Sequence, residues 1–97
     1  MAIDPGAIDA ALAAAVGDDP ALIAELRAAF VDSARRGLAG LEDAADEDAW
    51  RAACWRIKGL AASFGAVRLV AMATEATRRP VGDPAMLKRL RAVIARL

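Results

Sequence analysis

Apolar residues recur along this chain at intervals of three and four, and no stretch of useful length alternates apolar with polar. That spacing belongs to one face of a helix rather than to a strand. Three Asp-Pro pairs, Asp4-Pro5, Asp19-Pro20 and Asp83-Pro84, each set a capping carboxylate before a proline suited to the first helical turn. The pattern predicts a first helix from Pro5 to about Val16 that buries Ile8, Leu12 and Val16 and stops at Gly17, a residue tolerant of the left-handed conformation. A second helix runs from Pro20 to about Ala44, with Leu22, Leu26, Phe30, Ser33, Gly37 and Leu41 at helical spacing. Asp46 caps a third, which continues to Ser63 or Phe64 before Gly65 ends it. A fourth, from Ala66 to about Arg78, sets Val67, Val70, Ala73 and Thr77 near one face, and Pro80 stops its extension. The fifth begins at Pro84 and buries Leu87, Leu90, Ile94 and Leu97. The expected fold is all-α: one domain over residues 1–97, an up-down four-helix bundle with the short first helix capping one end.

Composition narrows what such a bundle can do. Alanine inflates the 58% hydrophobic fraction and adds little buried area, so the core rests on a few large side chains. Thirteen basic residues balance thirteen acidic ones, which leaves no overall field to draw the chain to nucleic acid or to an anionic membrane. No basic segment followed by an apolar run opens the sequence, and no stretch approaches the apolar length of a membrane span, so a soluble, cytoplasmic protein is expected. One cysteine, Cys54, excludes an internal disulfide. With no histidine, the chain lacks the commonest transition-metal ligand and the commonest general acid–base; no metal and no cofactor is expected.

The third helix carries the most information. Projected at roughly 100° per residue, Trp50, Ala53, Cys54, Ile57, Leu60, Ala61 and Phe64 form an apolar stripe that should face the core. The opposite side holds Asp48, Arg51, Ala52, Trp55, Lys58, Gly59 and Ala62. Trp55 is therefore expected to point outward, although a large indole gains most from burial. Gly59, one turn later on the same side, weakens the helix by roughly 1 kcal/mol relative to alanine while leaving the backbone accessible. Two readings stand side by side: a groove beside Trp55 that a partner fills, or Trp55 packed against the first helix or a bend in the bundle, with Gly59 relieving crowding between helices.

The run Trp55-Arg56-Ile57-Lys58-Gly59-Leu60-Ala61-Ala62-Ser63-Phe64-Gly65-Ala66 resembles the signature of histidine-containing phosphotransfer (HPt) domains. In that signature a histidine is followed by any residue, an aliphatic residue, lysine and glycine, then by a glycine near the helix end. Ile57, Lys58, Gly59 and Gly65 fall in register, and the stretch from Gly17 to Phe30 is similar to the family's second helix and the approach to it, so the likeness covers most of the chain. The resemblance implies a four-helix bundle that exchanges a phosphoryl group between an exposed histidine and an aspartate of a response-regulator receiver domain. Trp55 occupies the histidine's place. Its indole nitrogen has its lone pair in the ring and can only donate, so no phosphoryl group is accepted there.

Binding does not need that nitrogen. In the resemblance Lys58 suits an acidic partner, Gly59 permits close approach, Arg51 helps steer, and Trp55 supplies an anchor with small Ala62 beside it. The plain alternative for Arg51 and Lys58 is an ordinary solvated helix face. Cys54, on the apolar stripe, reads as a buried, unreactive thiol rather than a nucleophile. Asp18, Asp19 and the run Glu42, Asp43, Asp46, Glu47 and Asp48 read as capping and dipole complements around helix starts rather than as a metal site. No catalytic constellation is present, so the chain is not expected to be an enzyme. The leading expectation is a silent HPt-like adaptor for a response-regulator receiver domain or a histidine kinase. The second is a structural module that self-associates, as a homodimer, through the Trp55 face.

Overall fold

The computed structural model describes residues 5–17 and 19–97, with side chains described from residue 10 onward. The expected cap at Asp4, the burial of Ile8 and the role of Asp18 lie outside the described residues. Five helices and no strand occur among those described: α1 (Pro5–Val16), α2 (Pro20–Asp43), α3 (Glu47–Ser63), α4 (Val67–Ala76) and α5 (Pro84–Ala95). None is long and apolar enough to cross a membrane.

Local chemistry sets most of the boundaries. Asp19 caps α2 by accepting from the amides of Ala21 (3.0 Å) and Leu22 (3.2 Å), and Asp46 caps α3 by accepting from Ala49 at 2.7 Å. These carboxylates satisfy amides that have no partner within their own helix. Gly17 and Gly65 follow α1 and the end of α3 with φ of 82° and 70°, the left-handed region that favours glycine. The third Asp-Pro pair behaves differently. Asp83 makes no side-chain cap on α5; its carboxylate lies 4.0 Å from Arg79 across the preceding turn. Proline alone marks that helix start.

Each helix packs on the next, and α5 returns to pack on α2 as well as on α4, while α1 lies against α2. The core these contacts enclose is centred on Phe30, Leu41, Trp50, Ile57, Leu69, Met86 and Leu90, all essentially sealed from solvent. Buried Leu12 joins it from α1, whereas Val16 stays half-exposed. On α2 the buried face is Phe30, Ala34, Gly37, Leu38 and Leu41; Leu26 and Ser33 lie at its margin and Leu22 is exposed. Close packing of α2 on α3 depends on Gly37, because a Cβ there would stand 2.9 Å from Ile57 Cγ1.

Helix α4 departs from the expected face. Val67 is 75% exposed, and the buried set is Leu69, Met72, Ala73 and Ala76. Both sets have helical spacing, so periodicity alone does not choose between them; packed on α3 and α5, the helix turns Leu69 and Met72 into the core. The helix also ends at Ala76, two residues short of Arg78. The chain ahead of Pro80 is biased away from helical geometry, and Thr77 turns its hydroxyl onto the Thr74 carbonyl at 2.6 Å. Leu87, Leu90 and Ile94 of α5 are buried as expected, Met86 joins them, and Leu97 is only partly covered.

Candidate functional site

The α3 projection holds at nearly every position. Trp50, Ala53, Cys54, Ile57 and Ala61 are buried; Leu60 and Phe64 are half-buried at the edge of the core, with the Phe64 ring stacked on Phe30 at 4.7 Å between centroids. Phe64 is thus a rim residue, not a sealed one, because α3 is ending as it reaches that position.

The other side of α3 brings the expected residues together. Arg51, Trp55, Gly59 and Ala62 are exposed and Lys58 is half-exposed, so all five lie on one open strip of the helix. Trp55 is 54% exposed, an unusual state for the largest apolar side chain. Packing of Trp55 against α1 or a bend is therefore not what the fold does with it. Crowding does not explain Gly59 either: a Cβ added there would meet nothing within 4 Å. The glycine costs helix stability although no neighbour requires the absence of a side chain there.

Charge on the strip is distributed unevenly. Lys58 Nζ lies 4.5 Å from the centroid of the Trp55 ring, a cation–π contact made possible because residues three apart share a helix face. Among the described residues no carboxylate pairs with Lys58. Arg51 is less available than its sequence position suggests, since it bonds Glu47 one turn back at 2.8 Å. An exposed pair of this kind holds its partners only weakly, so an incoming carboxylate competes with Glu47 at small cost. Arg56, exposed and without an ion pair among the described residues, was not singled out by the sequence; its Nη1 would lie 3.9 Å from a Cβ at Gly40, which places it toward α2 and away from the strip.

Beneath the strip, Cys54 is fully buried and its thiol is pushed up to about 11 by burial, against a weaker opposing effect of a backbone hydrogen bond. A thiol so protonated is a poor nucleophile. The acidic run resolves into separate structural tasks. Asp46 caps α3 and Glu47 and Asp48 sit in its first turn, as expected, but Glu42 lies near the C-terminal end of α2, where a negative charge opposes the helix dipole. It is held there instead by Arg91 of α5, at 2.6 and 2.9 Å. No group of metal-ligating side chains occurs among the described residues.

The chain matches no family model, no curated protein and no solved structure. The site's own geometry is therefore what bears on function: an exposed indole, a lysine resting on it, and a strip of small residues, Ala52, Gly59 and Ala62, that leaves the indole standing clear. Such a surface offers a protruding apolar anchor and a cation with no acidic partner among the described residues. It carries no imidazole, since the chain has no histidine.

Proposed function

We propose that this protein is a catalytically silent HPt-like adaptor that binds a response-regulator receiver domain, or a histidine-kinase component, through the outward strip of α3 without accepting phosphate. In this reading the cycle of contacts from α2 through α3, α4 and α5 back to α2 is an HPt-like up-down four-helix bundle, α1 is an addition to it, and the protein works in the cytoplasm. The observation that carries the proposal is the exposure of Trp55 at the position where the resembled signature has its histidine. Lys58 and Gly59, the neighbours that make that signature, supply a cation and an open approach beside it. An aromatic anchor flanked by a cation suits a partner with an apolar cleft rimmed by carboxylates. The indole, a donor only, keeps chemistry out of the complex.

A pull-down from extract of the source cell with wild-type and Trp55→Ala protein tests the reading. Enrichment of a receiver or histidine-kinase protein by wild type alone is expected. Retention of that partner by the alanine variant, or dimerisation through Trp55 with no such partner, would contradict it, the latter marking the face as a self-association surface.

A further inference from the structure

A second charged site lies apart from the α3 strip, between α4 and α5. Arg68, Ala71, Met72 and Glu75 of α4 and Arg89 of α5 line a cavity of about 150 Å³. Glu75 is the only acid among the described residues of this wall, and it is already committed: Arg89 bonds both its oxygens, and Arg79 reaches it at 3.3 Å. Hydrogen bonding to Arg89, more than the direct charge effect of either arginine, holds its carboxyl below the usual glutamate range. Among the described residues Arg68 has no such partner. Its Nε is buried and has no acceptor, which leaves one guanidinium of the two lining the cavity uncompensated. Folded proteins nearly always satisfy buried donors, and a guanidinium fork is matched by two oxygens of one anion.

We propose that this cavity binds a small oxyanion, of phosphate or carboxylate type, with Arg68 as its principal ligand. Arg89 contributes the donors it does not spend on Glu75. Arg68 turns about its flexible stem on binding, so that the Nε–H, which meets no acceptor among the described residues, reaches an anion oxygen. Ala71 and Met72 provide an apolar wall, where an ionic hydrogen bond is stronger than in open water. The net charge of the lining arginines and Glu75 is +1 (two cations, one anion), the sign an anion requires. The site takes no part in the partner binding assigned to α3, and either assignment can fail without the other.

The test is a titration of the nitrogen-15-labelled full chain with inorganic phosphate and, separately, with acetate at constant ionic strength, following the arginine Nε–H resonances. Saturable shifts at Arg68 and Arg89 are expected, with Arg36, which pairs with Asp32 on the surface of α2, as the internal reference that does not move. Saturation by phosphate alone assigns the site to tetrahedral anions; saturation by acetate as well admits the carboxylate of a peptide or metabolite. Arg68→Met, which keeps the apolar stem and removes the donors, should abolish the shift at Arg89. Shifts that stay linear and appear equally at Arg36, or that survive in Arg68→Met, would overturn the proposal.

Discussion

The indole N–H of Trp50 donates a 2.8 Å hydrogen bond to the carbonyl of Ala76, tying the start of α3 to the end of α4 inside the core. Trp50 is 1% exposed. Five residues along the same helix, Trp55 is turned by more than a quarter of a circle and stands in solvent. One helix thus uses the same residue type for two unrelated ends: one indole fills the core and uses its N–H, and the other stands half-exposed with a lysine over its ring.

Stability should separate the two. Trp50→Ala should cost about 3–5 kcal/mol as a large core truncation. Trp50→Phe should cost less, about 1 kcal/mol for the lost hydrogen bond, because the Ala76 carbonyl still accepts from the Arg79 amide at 3.1 Å. Trp55→Ala should cost less, about 1 kcal/mol, since the side chain is 54% exposed and its cation–π contact with Lys58 lies at the surface. Urea melts of the three variants check this, and equal losses at positions 50 and 55 would mean that Trp55 belongs to the core.

Two of the helical glycines, Gly37 and Gly59, make an opposite pair. Gly37→Ala should destabilise, because its Cβ would meet Ile57 Cγ1 at 2.9 Å in a packed interface. Gly59→Ala, with nothing within 4 Å, should stabilise by about 0.5–1 kcal/mol through helix propensity alone. If Gly59 is kept for close approach of a partner, the same substitution should weaken partner binding while raising the thermal midpoint. Calorimetry on the isolated protein and on its complex reads both effects.

Much of this was legible from the residues. Asp19 and Asp46 announced their helices, and Gly17 and Gly65 ended theirs, because caps and left-handed glycines act through neighbours a few residues away. The inward and outward sides of α3 were legible too, since a tryptophan at each of positions 50 and 55 leaves only one rotation that buries the aliphatic residues. What depends on distant partners was not. The rotation of α4, which exposes Val67 and buries Leu69, is decided by what α3 and α5 present to it. Asp83 abandons its capping role for Arg79, and Glu42 is retained by Arg91 some fifty residues away. The half-buried state of Phe64 follows from where α3 stops relative to Phe30, which no local spacing encodes.

Cys54 gives a prediction in pH. Its thiol is raised from 9.0 to about 11 in the folded protein, so folding holds the proton more tightly than the unfolded chain does. The stability this contributes is fully present below about 9 and is lost as pH rises toward about 11, because the unfolded chain is then favoured by ionising. Denaturant melts on both sides of that window should show a larger drop for wild type than for Cys54→Ala. At neutral pH a thiol reagent should label Cys54 only on unfolding; rapid labelling of the native protein would contradict its burial.

In the proposed adaptor, binding and phosphoryl chemistry are separated at position 55. Wild type, Trp55→Ala and Trp55→His are each mixed with a receiver domain from the same cell, affinity being read by calorimetry and phosphate uptake by radiolabel. Wild type should bind and take up no phosphate, Trp55→Ala should lose about 2 kcal/mol or more of binding, and Trp55→His, which restores an available imidazole nitrogen, is the variant in which uptake should first appear. The account is contradicted if wild type binds no receiver or kinase component of its own cell, if Trp55→Ala binds as tightly as wild type, or if wild type becomes labelled.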